Sequence, residues 1–310
     1  MHNTAPHWSQ TSARLLNECP RAWVSTYKPK TAEFQNNEPR PSARRAPRTF
    51  DDAMVQAMRS TWMERIRDQF LSKIWSQRYA RQRLEANLAD TMEDARMVVP
   101  SPHLSMGVFK GLQQLKALEK TIALSPLFQG QPHRWCYFER TAVGAIGGLH
   151  VYAAPDIAIY HRNKWTLIRL QFRSGTQRRI DHQLEHLLMV HWAMSHPGFP
   201  SDMKAYRVRV VQWRPDAWFE HNVSVSQQNL TQSLELVLHD IQEMKWIWRS
   251  ATADPSLKNI PLAHREQTCR RCHWRSSCPA KEGLVRAKER QERLLANADH
   301  NEATRSARTA

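Results

Sequence analysis

The spacing of apolar residues predicts that the first third of the chain is helical. Residues 51–97 are predicted to form helices, and from residue 54 to residue 70 an apolar side chain recurs every four residues, which gives one buried face. This stripe consists of Met54, Met58, Trp62, Ile66 and Phe70. Residues 106–124 predict another helix. Residues 11–27 are predicted to open as a short helix with Ser12 as its N-cap, and Pro20 limits the next turn.

From about residue 133 the pattern changes to short runs of β-forming residues, separated by glycines and turn residues. The runs read HRWCYFERT, GLHVYA, DIAIYH and KWTLIRLQF, and His161–Lys164 joins the last two as a tight turn. Two more strands, at 204–213 and 218–225, lie between helical segments at 177–196 and 226–250. This order of elements predicts an α/β fold with a mixed central sheet and a helical insertion near its start.

We expect one domain over residues 11–280, preceded by a flexible segment at 1–10 and followed by a charged tail at 281–310. The domain has three expected parts: a helical insertion at about 51–124, a core at about 130–250 and a cysteine-containing segment at 264–280.

The charge balance indicates an anionic partner. Lys and Arg number 45 against 29 Asp and Glu, a formal net charge of +16, and nucleic acid is the commonest polyanion that such a surplus attracts. A membrane surface is the alternative. No apolar run approaches 18 residues and the N-terminus lacks the pattern of a secretory signal, so we expect a cytoplasmic protein without a membrane partner.

Four of the five cysteines have the spacing of a metal centre. Cys269-x2-Cys272-x5-Cys278 lies near the end of the chain, and Cys19 supplies a fourth thiol near its start. A [4Fe–4S] cluster fits this three-plus-one arrangement best, whereas a structural zinc site usually has two C-x-x-C pairs. Zinc and unrelated reduced thiols remain the alternatives. Cys136 lies within a β-run and is expected to be a buried thiol.

A second pattern surrounds the predicted hairpin. Asp156 follows a proline, and fourteen residues later comes the tripeptide Gln171-Phe172-Arg173, followed by Ser174-Gly175 and, on the next predicted helix, Gln183. This arrangement resembles the RecB-like branch of the PD-(D/E)xK nuclease superfamily. In that pattern an Asp ends one strand, a D/E-x-K tripeptide lies on the neighbouring strand, and a Gln follows on a helix.

The cysteines extend the resemblance to the iron–sulfur members of that branch, among them AddB-type repair subunits and the exonucleases of CRISPR adaptation. Those proteins have one Cys before the nuclease core and C-x2-C-x5-C after it. Ser12, Leu16, Cys19-Pro20 and Trp23 resemble their N-terminal helix. The resemblance implies a nuclease-like mixed sheet flanked by helices, with a [4Fe–4S] cluster bound by the four cysteines. It also implies nucleic acid, with DNA expected, and DNA-processing proteins as partners.

The catalytic positions depart from the pattern. Hydrolysis by this fold needs a divalent ion held by carboxylates and a lysine beside it. Here Asp156 is kept, Gln171 replaces the second carboxylate and Arg173 replaces the lysine, while the early helix lacks the family's histidine. We therefore expect catalysis to be reduced or lost, with Mg²⁺ or Mn²⁺ bound only if the site is active. Asp156 would otherwise be a polar residue bonded to backbone at the end of a strand.

Two alternatives stay open. Glu139 and His150 are near in sequence and would rebuild the metal site of an active, divergent DNA exonuclease. The protein would otherwise be a structural subunit of a DNA-processing or defence complex.

A run of basic residues without Asp or Glu follows the hairpin turn. If the resemblance holds, these side chains rim the groove that carries the phosphate backbone, and otherwise they form a solvated face. The predicted nucleic-acid-binding residues are Arg162, Lys164, Arg169, Arg178 and Arg179.

Overall fold

The protein is described by a computed structural model that covers residues 7–27, 49–131, 134–146, 149–173, 180–270 and 272–309. These residues form two compact units. The cysteine unit comprises the described residues of 7–27, 149–152 and 234–309, and the sheet unit comprises those of 49–146 and 153–233. A single domain over 11–280 stays a prediction.

Helices and strands alternate in the order that the sequence predicts. The helices are α1 (Gln10–Glu18), α2 (Pro20–Tyr27), α3 (Phe50–Phe70), α4 (Gln77–Asp94), α5 (Ser101–Glu119), α6 (Ser125–Phe128), α7 (Ile180–Ser195), α8 (Gln227–Ala253), α9 (Glu266–Arg270) and α10 (Leu284–Thr309). The strands are β1 (Trp135–Tyr137), β2 (Gly144–Ile146), β3 (Leu149–Val151), β4 (Ile157–His161), β5 (Lys164–Gln171), β6 (Tyr206–Arg214) and β7 (Ala217–Val223). None of the helices in the described part of the chain is both long and apolar enough to cross a membrane.

The sheet unit contains a five-stranded sheet in the order β1-β4-β5-β6-β7. Strands β5 and β6 are parallel and the other neighbours are antiparallel, which confirms the predicted mixed sheet. Strands β4 and β5 form the predicted hairpin. Its two turn residues, Arg162 and Asn163, have φ angles of 48° and 59°, as a tight two-residue turn requires.

Helices cover both faces of this sheet, so it is a mixed α/β unit. One face packs against α3, α4 and α5 through buried residues that include Ile157, Ile159, Ile168, Leu170 and Val211. The other face packs against α7 through buried residues that include Ala158, Trp165, Leu167, Met189 and Trp192. Each strand contributes to both apolar faces of the sheet, because its successive side chains point to opposite sides.

The predicted apolar stripe on α3 is confirmed over most of its length. Met54, Met58, Trp62 and Ile66 are buried in the core. Phe70 lies at the helix end, is exposed, and makes edge contacts with the rings of Trp135 and Tyr137.

In the cysteine unit the short helix predicted near residue 11 is α1, but its predicted N-cap was wrong. The extended backbone of Cys19 and the following Pro20 end α1 and start α2. The N-cap is Ser9, whose hydroxyl accepts from the Ser12 N–H at 3.1 Å. Ser12 is instead buried within α1, where its Oγ accepts from Trp23 Nε1–H at 2.8 Å.

Candidate functional site

The cysteine unit brings the four predicted ligands to one cavity. Cys19 lies between α1 and α2, Cys269 lies in α9, and Cys272 and Cys278 follow in the turns before α10. All four are free thiols, and together they line a cavity of about 240 Å³. The fold of this unit thus brings together cysteines that are distant in the sequence.

The surroundings of the cavity oppose ionisation of Cys19 and Cys269. Burial raises the pKa of Cys269 to about 11, and the neighbouring Cys19, Cys278 and Cys272 add to this effect. Burial also raises the pKa of Cys19, against the lowering effect of the Ala22 N–H, which donates to Cys19 Sγ at 3.4 Å. A cation among the four sulfurs would favour their ionised forms.

Arg21 forms part of the same cavity wall and is only 8% exposed. Its Nη2 donates to the carbonyl oxygens of Leu257 and Ile260. Its Nε–H is buried and has no hydrogen-bond partner among the residues that the structure describes. A buried cationic donor beside four thiols favours an anionic occupant, such as a metal–thiolate centre.

Within the described ranges, no three His, Cys, Asp or Glu side chains form a group that could hold a metal ion. The four thiols nevertheless line one cavity.

The sheet unit contains the second candidate centre. Asp156 directly precedes β4 and is 5% exposed. Arg140 holds it through two parallel hydrogen bonds, Nε to Oδ1 at 2.7 Å and Nη2 to Oδ2 at 3.0 Å. The Leu170 N–H also donates to Oδ2 at 2.7 Å, and Arg140 Nη2 donates to the Leu170 carbonyl. Both carboxylate oxygens therefore accept from protein donors.

A second arginine continues this network. Arg169 Nη1 lies 3.4 Å from Asp156 Oδ2, and its Nη2 lies 3.1 Å from Glu185 Oε1 on α7. Burial alone would raise the pKa of Asp156, but the charges of Arg140 and Arg169 and the donated hydrogen bonds hold it well below its usual range. Asp156 is thus an ionised carboxylate enclosed by guanidinium groups.

The other predicted catalytic positions have different environments. Gln171 is half-buried, with its Nε2 at 3.3 Å from His186 Nε2 on α7. Arg173 is 65% exposed and forms an ion pair with Asp52 of α3. The Arg173 side chain therefore points to the Asp52 carboxylate of α3.

The place of Gln183 in the site stays a prediction. Gln183 is exposed on α7, whereas Glu185 and His186 are buried and face the sheet. Helical spacing could have shown this, because Glu185 lies four and seven residues before the buried Met189 and Trp192.

Sequence reasoning also missed Arg140, which no motif identifies. The neighbouring Glu139, proposed as a relocated ligand, is exposed and accepts from the Thr141 hydroxyl at 3.3 Å. The other proposed ligand, His150, is an exposed residue of β3 in the cysteine unit.

The predicted nucleic-acid-binding residues do not form one rim. The prediction that Arg169 binds nucleic acid was wrong. Arg169 is 1% exposed and forms ion pairs with two carboxylates, so its side chain cannot reach a phosphate. Arg162 and Lys164 lie at the hairpin turn, separated from Asp156 by the length of β4, about 17 Å. They therefore lie at the opposite end of the hairpin. Ser174, Gly175, Arg178 and Arg179 lie outside the described residues.

One further arginine lies near Asp156. Arg59, on α3, has its pKa lowered to about 10, mainly by the positive charge of Arg140. Arg169 adds to this repulsion, while Asp156 and Glu185 oppose it. The centre thus combines three guanidinium groups with two carboxylates.

Comparison with known proteins does not assign a family. No family model matches the chain, and no curated protein matches it. The crystal structure of a protein called SSO0001 is similar at a TM-score of 0.30 and 14% identity, over 73% of this chain and 95% of that one. A similarity of this size identifies neither a shared family nor a shared function.

Proposed function

We propose that this protein binds nucleic acid, with DNA expected, through a PD-(D/E)xK nuclease-like fold whose centre has lost metal-dependent hydrolysis. The observation that carries the proposal is the paired hydrogen bonding of Asp156 by Arg140. The carboxylate that such a nuclease would offer to Mg²⁺ is already neutralised by a guanidinium.

Electrostatics supports the loss of catalysis. A divalent ion at Asp156 would have to displace Arg140 and lie beside the buried charge of Arg169. Gln171 can offer an oxygen but no negative charge, so it compensates little of this repulsion. Arg173 is paired with Asp52, and an arginine is not readily deprotonated.

The overall charge supports an anionic partner. The surplus of +16 favours binding of a polyanion, and contacts to phosphates give affinity without sequence preference. We expect binding to weaken steeply as salt concentration rises.

We further propose that Cys19, Cys269, Cys272 and Cys278 hold a [4Fe–4S] cluster. Their shared cavity and the buried Nε–H of Arg21 support an anionic metal–thiolate group there. When bound, the cluster would cross-link the two ends of the chain and could exchange electrons. The residues of this chain would supply the thiolates and a neighbouring cation.

Nuclease assays test the first proposal. Purified protein with Mg²⁺ or Mn²⁺ should bind single-stranded DNA without cutting it. The triple variant Arg140→Ala, Gln171→Glu, Arg173→Lys restores the carboxylate and the lysine and removes the arginine at Asp156, so a gain of cleavage would indicate a silenced centre. Cleavage by the wild type that Asp156→Ala abolishes would refute the proposal and favour an active exonuclease.

Metal analysis tests the second proposal. Protein purified without oxygen should absorb visible light and contain iron and acid-labile sulfide at about four of each per chain. Cys19→Ser should lose both, and Cys136→Ser is the control because Cys136 lies in β1, outside the cavity. Stoichiometric zinc without sulfide would establish the alternative.

A further inference from the structure

Strand β1 is one edge of the five-stranded sheet, and no other strand of the described chain pairs with its outer side. The Phe138 N–H donates to the Asp156 carbonyl at 3.1 Å, and the Arg134 carbonyl accepts from β4 at 2.9 Å. Residues of an antiparallel strand alternate between facing their partner strand and facing away from it. Trp135 and Tyr137 therefore direct their backbone N–H and C=O groups to the free edge.

This edge has little to protect it. Sheet edges are usually guarded by charged side chains, prolines or bulges. β1 reads WCY and pairs with β4 in unbroken register, so it is short but contains none of these. The opposite edge strand, β7, carries Glu220. The outward groups of Trp135 and Tyr137 make no hydrogen bond to a residue that the structure describes.

Exposed apolar side chains lie beside the same edge. Phe70, at the end of α3, is 50% exposed, and its ring centroid lies 5.2 Å from that of Trp135 and 5.6 Å from that of Tyr137. Leu71 and Ile74 follow along the chain and are also exposed. The unpaired backbone groups and an apolar surface are thus joined through Phe70, as expected of a surface that a protein covers.

The charge of this surface favours a second copy of the chain as the occupant. Lys73 is the one charged residue between Phe70 and Ile74, and its Nζ lies 3.6 Å from Asp68 Oδ1. β1 itself is uncharged, so two such edges can approach without like charges directly opposite each other. The surface offers few free charges to the phosphates of a nucleic acid or to a charged peptide.

We propose that β1 is a dimer interface at which two copies of the chain join their sheets, antiparallel, about a two-fold axis at Cys136. In this register the outward groups of Trp135 pair with those of the partner's Tyr137, and the reciprocal pair forms across the axis. Every outward N–H and C=O group of the two strands then has a partner. The axis is perpendicular to the sheet, so the two Phe70 side chains lie on the same face of the joined sheet.

Sedimentation velocity of the full chain, prepared without oxygen, tests the interface over a wide range of protein concentration. Wild type should form a dimer as concentration rises. Phe70→Lys adds a positive charge from each copy beside the axis and should weaken dimerisation more than about tenfold. The matched control is Phe219→Lys, which should leave dimerisation unchanged, because Phe219 is 46% exposed but lies on β7 at the opposite edge.

A second variant removes a hydrogen bond rather than the apolar contact. Tyr137→Pro deletes an outward N–H that the described part of the fold does not use, a position at which an edge strand tolerates proline. It should keep the circular dichroism spectrum of wild type and weaken dimerisation. This variant also tests the interface if Phe70→Lys does not fold.

Cross-linking tests the register. Cys136 would face the partner's Cys136 as a non-hydrogen-bonded pair with Cα atoms about 4.5 Å apart, a separation that a disulfide spans. Oxidation by air with copper phenanthroline should therefore join two chains through Cys136, as identified by peptide mass spectrometry. Cys136→Ser should dimerise without this cross-link.

Three results would overturn the proposal. The first is a wild type that stays monomeric at every concentration, which would leave the edge to another extended chain or to solvent. The second is an equal effect of Phe70→Lys and Phe219→Lys on dimerisation. The third is a dimer in which oxidation does not link Cys136 to its counterpart.

Discussion

At the scale of single residues, Arg140 determines what Asp156 can do. An aspartate beside a strand resembles a metal ligand in the sequence, whereas in the structure both oxygens of Asp156 accept hydrogen bonds from Arg140. Arg169 reinforces this role from the buried side of the sheet. Retention of Asp156 alone therefore does not indicate catalysis.

Removal of Arg140 should destabilise the protein. In Arg140→Ala, Asp156 loses two charge-assisted hydrogen bonds, and we expect a loss of about 2–3 kcal/mol in the free energy of unfolding. Urea denaturation measures it. The exposed Arg207→Ala is the control and should change stability by less than about 0.5 kcal/mol. Equal effects of the two variants would contradict the role of Arg140.

The same pair predicts a pH dependence. The pKa of Asp156 is lower in the folded protein than the value of about 3.9 expected when it is unfolded. The stability that it contributes is therefore fully present above pH 4 and is lost as pH falls towards the folded pKa. Urea denaturation between pH 6 and pH 3 should show a smaller loss for Asp156→Asn than for wild type. Parallel curves would show that Asp156 does not contribute.

At the scale of elements, the orientation of α7 decides which acid joins the centre. The buried Met189 and Trp192 fix the inward face of this helix, and Glu185 lies on it while Gln183 points to solvent. The pairing of Glu185 with Arg169 then links the helix to β5.

This orientation gives a matched pair of variants on one helix. Glu185→Ala leaves Arg169 with one carboxylate inside the protein, so we expect a loss of about 2–4 kcal/mol in the free energy of unfolding. Gln183→Ala removes an exposed side chain and should cost less than about 0.5 kcal/mol. Chemical denaturation of both variants measures the difference. The reverse order of effects would show that Gln183 faces the sheet.

At the scale of the whole molecule, the cysteines connect distant parts of the chain. Cys19 lies near its start and Cys269, Cys272 and Cys278 near its end, yet the cysteine unit places all four around one cavity. A metal group bound there would stabilise the fold, because an unfolded chain does not hold the four thiols together.

Metal removal should therefore lower thermal stability. We expect chelation, or Cys19→Ser, to lower Tm by several degrees, measured by calorimetry on protein prepared without oxygen. The control variant Cys136→Ser should still bind the metal, and its Tm should still fall when the metal is removed. An unchanged Tm after complete loss of metal would show that the centre does not stabilise the fold.

The sequence by itself determined the local structure. Helical and alternating periods located the helices of residues 51–97 and the strands of 133–173, and turn chemistry located the β4–β5 turn at Arg162 and Asn163. Cysteine spacing likewise identified the four side chains that the fold brings to one cavity. These features could be predicted because each depends on neighbours in sequence or on rare residue types at fixed spacing.

Only the tertiary structure decided the chemistry of the centre. The pairing of Arg140 with Asp156, the burial of Arg169 and the separation of Arg162 from Asp156 depend on strand register and on which face of a strand points inward. Burial turns an arginine that resembles a surface cation into an internal counter-charge. The physical reason is that charge in a protein acts through distance and solvent access, and neither is written in the order of the residues.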